Sequence, residues 1–179
     1  MKQILSQYTK DQVKKAGDIK AIFFDVDGVM TDGKIIYDDT GKESKEFSVK
    51  DGYIISHLKK SGIIVGIITG RDSKVVSHRA AELKLDFCHQ GIVDKLEVFE
   101  KLVAFYKLKR KQVAYIGDDI NDLGVLKNCG LSVCPADAMS YVKDQVDLVA
   151  KLKGGQGVVR EVADLVLSAR GEMAKILKG

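Results

Sequence analysis

Short apolar runs alternate with amphipathic stretches along most of this chain. From Ile19 onward, six runs of five to eight residues, in which half or more of the positions are apolar, have the length of buried strands: IKAIFF, GIIVGIIT, LDFCHQ, QVAYIG, GLSVC and VDLVA. The stretches between them have helical periodicity at residues 51–61, 72–83, 95–106 and 121–127. Strands that alternate with helices predict an α/β fold, a Rossmann-like, doubly wound and mostly parallel sheet with helices on both faces.

One segment breaks this alternation. Residues 33–49 form two runs of alternating polar and apolar residues around the turn residues Asp39, Thr40 and Gly41. This pattern predicts a β-hairpin inserted directly after the first strand. The insertion is too short to be a separate cap domain.

The two ends of the chain have different patterns. Residues 1–18 are polar with a few apolar positions at helical spacing, and we expect a short lead-in helix there. Gly154, Gly155 and Gly157 predict a flexible break, so residues 154–179 are expected to be a flexible tail containing a helical stretch at residues 161–169. A length of 179 residues predicts a single domain over residues 1–179.

Composition narrows the classes of function. The net charge is +4, but lysines are interspersed with acids and no basic run is present, which argues against nucleic-acid binding. No apolar run has the length of a membrane span, and the first residues lack a signal-peptide core, so a cytoplasmic protein without membrane contact is expected. Cys88, Cys129 and Cys134 fit no zinc spacing and are expected to be free thiols.

Polar residues that could bind a ligand or take part in catalysis follow four of the predicted strands. In a parallel sheet the carboxyl ends of the strands share one rim, which is where ligands bind. The residues expected at this rim are Asp25, Asp27, Thr69, Gly70, Arg71, Asp94, Lys95, Asp118, Asp119, Asn121 and Asp122. Three acids near residue 120 exceed what a helix cap needs, and their mutual repulsion indicates a bound cation.

This set suits phosphoryl transfer to a carboxylate. Asp25 and Asp118 can hold a Mg²⁺ ion, which reduces the repulsion between an attacking carboxylate and phosphate. Asp27, two residues from the nucleophile, lies on the same side of the strand and can act as general acid and base. Thr69 can donate a hydrogen bond to a phosphoryl oxygen, and Lys95 can balance the clustered acids.

These motifs resemble the haloacid dehalogenase superfamily of phosphatases, and the resemblance covers most of the chain from Ile19 onward. It implies Asp25 as nucleophile, through an aspartyl-phosphate intermediate, and Asp27 as acid and base. The backbone carbonyl of Asp27 then completes the protein's ligands to magnesium. Asp119 and Asp122 are implied as supporting residues of the metal site.

Finer details resemble superfamily members that act on an eight-carbon sugar acid phosphate in lipopolysaccharide synthesis. These details are Arg71 followed by Arg79, Gln90-Gly91, and the sequence from Gly154 to Glu161. The likeness implies that Gly70, Arg71, Arg79 and Arg160 contact a small sugar acid phosphate. A homotetramer is also expected, because the hairpin is too small to cover the site and its edges are free to pair with other subunits.

Two alternatives remain open from the sequence. A phosphatase of a nine-carbon ulosonic acid 9-phosphate would use the same scaffold with different specificity residues. A receiver-type signalling domain also combines acids, a threonine and a lysine on a parallel sheet. Receivers, however, place their accepting aspartate after the third strand, where this chain has Cys88, His89 and Gln90.

Overall fold

A parallel sheet of six strands forms the centre of the molecule in the computed structural model, which describes residues 2–178. The strands are β1 (Ala21–Phe24), β4 (Ile64–Ile68), β5 (Phe87–His89), β6 (Val113–Ile116), β7 (Leu131–Cys134) and β8 (Leu148–Val149). Two further short strands, β2 (Ile36–Tyr37) and β3 (Glu43–Ser44), pair antiparallel to form the inserted hairpin. The predicted fold class is therefore confirmed.

Strand order determines where a ligand can bind. The order across the sheet is β5-β4-β1-β6-β7-β8, and every neighbouring pair is parallel. The chain runs outward from β1 through β4 to β5 and then returns to β6 on the other side of β1. Connections leave β1 and β6 in opposite directions, which opens a crevice at the carboxyl ends of these two strands.

Helices cover both faces of the sheet, as the alternating pattern predicts. They are α1 (Lys2–Leu5), α2 (Lys10–Asp18), α3 (Val49–Lys60), α4 (Lys74–Glu82), α5 (Lys95–Phe105), α6 (Leu123–Leu126), α7 (Ser140–Lys143), α8 (Val158–Ala169) and α9 (Met173–Ile176). The helices α7 and α9 were not predicted, because an element of four residues is too short to show a period. No helix among residues 2–178 has the length and apolar character needed to cross a membrane.

Two hydrophobic cores lie on opposite faces of the sheet. Ile22 and Phe24 of β1 pack into the core beneath α2, α3 and α8, whereas Ala21 and Phe23 pack into the core beneath α5 and α6. Successive strand residues point to opposite faces, so a strand covered on both sides must be apolar at every position. This explains why the central strands are continuous apolar runs.

The lead-in segment is fixed to the body of the protein. Thr9 caps α2 in a reciprocal arrangement with Gln12, and the Gln12 side chain donates a hydrogen bond of 2.7 Å to the Asp147 carbonyl. Ala16 of α2 is fully buried against the core. Residues 10–18 are therefore an ordered part of the helical layer.

The expected flexible tail is wrong for residues 158–169. They form α8, and most of its side chains are buried between α2, α3 and the sheet. The preceding glycines also pack tightly, because a Cβ on Gly154 would lie 2.1 Å from the Gly28 carbonyl oxygen and one on Gly155 would lie 2.9 Å from the Asp32 nitrogen. Because these glycines have no side chain, their backbone can pack closely against the loop after β1. The sequence pattern does not distinguish this role from flexibility.

A buried carboxylate joins α3 to α8. Asp51 is 1% exposed, and its Oδ1 accepts a hydrogen bond of 2.7 Å from the Arg160 backbone N–H in the first turn of α8. Its Oδ2 has no hydrogen-bond partner among the described residues. Burial raises the pKa of Asp51 to about 6, because the Arg160 N–H bond and the charges of Arg79 and Arg160 offset the loss of solvent only in part.

This raised pKa makes the free energy of unfolding depend on pH. Between the unfolded value near 3.8 and about 6, the folded state binds more protons, so stability falls as pH rises through this window. Asp51→Asn keeps the hydrogen-bond acceptor without the charge. We expect it to raise the free energy of unfolding by about 1–3 kcal/mol at pH 8 and to change it little at pH 4.

Urea denaturation of both proteins at pH 4 and pH 8 measures this difference. Asp39→Asn, in the exposed hairpin turn, is the matched control and should follow the parent protein at both values of pH. A stability difference for Asp51→Asn that does not grow from pH 4 to pH 8 would contradict the argument.

Candidate active site

A buried lysine connects two of the predicted site carboxylates. Lys95 is the first residue of α5, where Asp94 caps the helix by accepting a hydrogen bond from the Glu97 N–H. The Lys95 side chain is fully buried, and its Nζ lies 2.6 Å from Asp25 Oδ2 and 2.7 Å from Asp122 Oδ1. Burial alone would lower the pKa of Lys95, but the two carboxylates outweigh it and raise the pKa, which keeps the ammonium charged.

Asp122 is a structural carboxylate whose lone pairs are occupied. Besides Lys95, its Oδ1 accepts a hydrogen bond of 2.7 Å from the Tyr115 hydroxyl. Its Oδ2 accepts from the backbone N–H groups of Asp118 and Asp119 at 3.1 and 3.3 Å. Burial and the Asp122 charge raise the pKa of Tyr115 well above its usual range, so its hydroxyl remains a donor. These contacts fix the loop after β6.

Asp25 and Asp118 face one another across the crevice between β1 and β6. Oxygen atoms of Asp25, Asp118 and Asp122 lie within 4.8 Å of one another. Gly28 makes this possible, because its φ is +84° and a Cβ at this position would lie 2.1 Å from Asp118 Oδ2. Any larger residue would displace the carboxylate.

The electrostatics of this cluster favour a bound cation. Burial, together with the charges of Asp122 and Asp25, raises the pKa of Asp118 to about 8. Burial and the Asp122 charge raise the pKa of Asp25 as well, although Lys95 opposes this. Oxygen ligands at short mutual distance with one lysine between them suit a divalent cation such as Mg²⁺. Asp119 lies next to this cluster, and its Oδ1 accepts a hydrogen bond of 2.6 Å from the Tyr141 hydroxyl.

Asp27 is bound by residues from two different loops. Its Oδ1 forms an ion pair with Lys45 from the hairpin and accepts a hydrogen bond of 3.3 Å from the Thr31 hydroxyl. Its Oδ2 lies 3.5 Å from Arg71 Nε. Arg71 also donates hydrogen bonds of 3.2 Å to the Tyr37 hydroxyl and to Glu43 Oε1.

The hairpin residues Tyr37, Glu43 and Lys45 were not predicted as part of the site. Glu43 joins the hairpin to the loop after β4, because its carboxylate accepts hydrogen bonds from Arg71 and from the Ser73 hydroxyl. The available signal was the spacing of Glu43 and Lys45, which are two residues apart and therefore on one face of a strand. Exposed hairpins commonly carry such charges, so the spacing alone did not identify them.

An open cleft of about 230 Å³ lies over these carboxylates. Its lining is formed by Asp25, Asp27, Gly33, Gly70, Arg71, Asp118, Asp119 and Asn121. Thr69 follows β4 at the base of the rim and is 2% exposed. The structure thus brings together the predicted residues from the ends of β1, β4 and β6, and Lys95 lies beneath them.

Two predicted substrate contacts lie elsewhere. The Arg79 guanidinium pairs with Glu82 at 2.8 Å and stacks 5.6 Å from the centre of the Phe47 ring. Arg160 Nε pairs with Asp164 at 2.8 Å beside a separate hollow that Tyr8 also lines. Neither arginine is among the residues that line the cleft, and their role in substrate binding stays a prediction.

Comparison with known proteins identifies the family. A family model described as haloacid dehalogenase-like hydrolase matches residues 86–162. A 3-deoxy-D-manno-octulosonate 8-phosphate phosphatase from Yersinia pestis is 44% identical over 163 residues, which are 91% of this chain and 87% of the relative. The chain belongs to the haloacid dehalogenase-like hydrolases. The resemblance seen in the motifs is thereby confirmed.

Solved structures of relatives share the fold over nearly their whole length. The crystal structure of the Yersinia pestis phosphatase superposes with a TM-score of 0.91 at 43% identity and covers 92% of this chain and 89% of that one. The phosphatase from Moraxella catarrhalis, solved with a magnesium ion, a phosphate ion and a 3-deoxy-D-manno-octulosonate (KDO) molecule, gives a TM-score of 0.92 at 38% identity, covering 96% and 99%. The chain is therefore a phosphoric monoester hydrolase, which removes the receiver-type alternative.

The carboxylate cluster predicts a measurable effect of metal on stability. A divalent cation relieves the repulsion between Asp25 and Asp118, so saturating Mg²⁺ should raise the melting temperature of the parent protein by about 5 °C or more. Asp118→Asn should melt higher than the parent in metal-free buffer and gain much less from Mg²⁺. Calorimetry with and without Mg²⁺ measures both values.

Asp144→Asn is the control, because Asp144 is an exposed acid outside the cluster. This variant should respond to Mg²⁺ as the parent does. An equal increase in melting temperature for the parent and for Asp118→Asn would show that the cluster does not bind the cation.

Proposed function

We propose that this protein hydrolyses 3-deoxy-D-manno-octulosonate 8-phosphate to the free sugar acid and phosphate, in a reaction that requires Mg²⁺. The observation that carries the proposal is the placement of Asp25, Asp27 and Asp118 around one cleft, with Lys95 buried beneath them. The relatives that match nearly the whole chain are phosphatases of this ester. A place in lipopolysaccharide synthesis in the cytoplasm is proposed on the same likeness.

Asp25 is the proposed nucleophile. Its carboxylate oxygen attacks phosphorus, the bond between phosphorus and the sugar oxygen breaks, and an aspartyl phosphate forms. The ion pair at 2.6 Å between Lys95 and Asp25 Oδ2 orients the carboxylate for this attack. Mg²⁺, held by Asp25, Asp118 and the backbone carbonyl of Asp27, would supply positive charge that offsets the repulsion between carboxylate and phosphate.

Asp27 is the proposed general acid and base. It donates a proton to the departing sugar alkoxide and then accepts a proton from the water that attacks the aspartyl phosphate. Phosphate leaves, and the Asp25 carboxylate is restored. Arg71, which lines the cleft beside Asp27, can bind an anionic group of the substrate with its planar guanidinium.

The test of this function combines a substrate panel with one variant. The panel contains 3-deoxy-D-manno-octulosonate 8-phosphate, a nine-carbon ulosonic acid 9-phosphate and ribose 5-phosphate, each with Mg²⁺ and with EDTA. We expect the eight-carbon ester to have the highest kcat/KM, and we expect EDTA to abolish phosphate release. Asp25→Asn should reduce turnover by about 1,000-fold or more, because an amide cannot attack phosphorus.

Asp144→Asn serves again as the matched control and should retain parental turnover. A higher kcat/KM for the nine-carbon ester would move the assignment to that substrate. Turnover of Asp25→Asn within tenfold of the parent, or full activity in EDTA, would contradict the mechanism.

A homotetramer is proposed as the assembled form. Among the described residues β2 and β3 pair only with each other, which leaves both outer edges of the hairpin unpaired. Its apolar side chains Ile35, Ile36 and Tyr37 are 48%, 44% and 57% exposed. Pairing with the same hairpin in other subunits would bury these side chains and the free edges.

Light scattering tests the assembly. We expect a mass about four times the chain mass of 19.7 kDa. Ile36→Glu should shift the protein toward smaller species, because a charge in a buried interface is unfavourable. Phe105→Glu, which alters an exposed apolar residue on α5, is the control and should leave the mass unchanged. A fully active parental monomer would contradict the proposal.

A further inference from the structure

Lys45 is a buried lysine in an otherwise exposed hairpin. Its side chain is 1% exposed, although the neighbouring residues Ser44 and Glu46 are exposed. A buried ammonium is costly unless it is paired. Lys45 has two carboxylate partners, Asp27 and Glu43, with Glu43 Oε1 at 3.5 Å.

The alternation of the strand directs this lysine toward the catalytic loop. Glu43 and Lys45 are two residues apart, and Tyr37 lies directly opposite Glu43 in the hairpin. Residues in these positions share one face of a two-stranded ribbon. This face meets Asp27 and Arg71, whereas Ser44 and Glu46 belong to the opposite face.

The two carboxylate oxygens of Asp27 have different partners. Oδ1 is held by Lys45 and by the Thr31 hydroxyl. Oδ2 lies 3.5 Å from Arg71 Nε, which itself has no hydrogen-bond partner among the described residues. One oxygen is therefore anchored, and the other is left available to a group in the cleft.

Lys45 does not itself line the cleft. The residues that form the wall of the cleft include Asp27 and Arg71 but not Lys45, whose side chain pairs with Asp27 and has almost no exposed surface. A lysine that bound the substrate directly would need its ammonium group at the cleft surface. The geometry therefore separates Lys45 from the residues that contact substrate.

We propose that Lys45 is a positioning residue for proton transfer, anchoring Oδ1 of Asp27 so that Oδ2 is presented to the leaving group and to water. The inference rests on the proposed role of Asp27 as general acid and base. It assigns the hairpin a part in the chemical step itself. Lys45 acts through Asp27 and makes no direct contact with the reacting atoms.

Leaving-group dependence distinguishes this role from a general structural one. A sugar alkoxide needs a proton as it departs, whereas p-nitrophenolate does not. We expect Lys45→Met to lower kcat/KM for 3-deoxy-D-manno-octulosonate 8-phosphate by about 10- to 100-fold and for p-nitrophenyl phosphate by less than about threefold. A partly unfolded preparation would lose activity on both esters equally. Lys45→Arg keeps the cation and should recover most of the activity on the sugar phosphate.

A double-mutant cycle with Asp27→Asn tests whether Lys45 acts through Asp27. In the Asp27→Asn background, Lys45→Met should change kcat/KM for the sugar phosphate by less than about twofold, because the group it positions is already absent. Lys42→Met, which alters an exposed lysine of the same hairpin, should leave both activities at the parental level.

The outcomes separate failure of this inference from failure of the proposed function. If Asp27→Asn lowers activity equally on the sugar phosphate and on p-nitrophenyl phosphate, the acid role of Asp27 is wrong. If Asp27→Asn selectively lowers the sugar phosphate activity but Lys45→Met lowers both equally, or if the two effects are additive, the positioning role of Lys45 is overturned.

Discussion

The ion pairs of Lys95 are the constraint on which the rest of the site depends. Asp25 and Asp122 are carboxylates with almost no exposed surface, and burying carboxylates in this way is costly unless a cation lies within hydrogen-bond distance, as Lys95 does here. Because Lys95 is in the first turn of α5, its position is fixed by the Asp94 cap and by the packing of that helix on the sheet. One buried ammonium thus connects β1, α5 and the loop after β6.

Because of these ion pairs, the acidic residues of the site have different roles. Asp122 accepts hydrogen bonds from Lys95, Tyr115 and two backbone N–H groups, so it stabilises the loop and has no capacity left for substrate. Asp118 lies beside it, and burial together with the charges of Asp122 and Asp25 raises the pKa of Asp118 to about 8. The fold therefore provides one side chain that holds the site together and another that is ready for a cation.

Close approach of backbones is the second requirement of the site. Gly28 leaves room for the Asp118 carboxylate, and Gly154 packs directly on the Gly28 carbonyl. The loop of Asp25 and Asp27 is therefore held between the end of β6 and the segment that leads into α8. The hairpin also contacts the site, because Lys45 pairs with Asp27 and Glu43 pairs with Arg71. A small insertion thus contributes side chains to the site without forming a domain.

The local pattern of the chain determined the fold class and the rim. Continuous apolar runs can be satisfied only by strands covered on both faces, and polar residues at strand ends must then meet at one edge. For this reason, the sequence predicted a site formed by Asp25, Asp27, Thr69, Lys95 and Asp118. Tertiary structure alone decided the roles of the remaining residues. Gly154 and Gly155 were predicted to form a flexible break. The sequence shows that these residues lack a side chain, but it does not show that another backbone segment packs into the space. The sequence alone does not distinguish Lys45 from the other lysines. Its contact with Asp27 joins two residues that are distant in the chain, and such a contact forms only when the hairpin packs against the loop after β1.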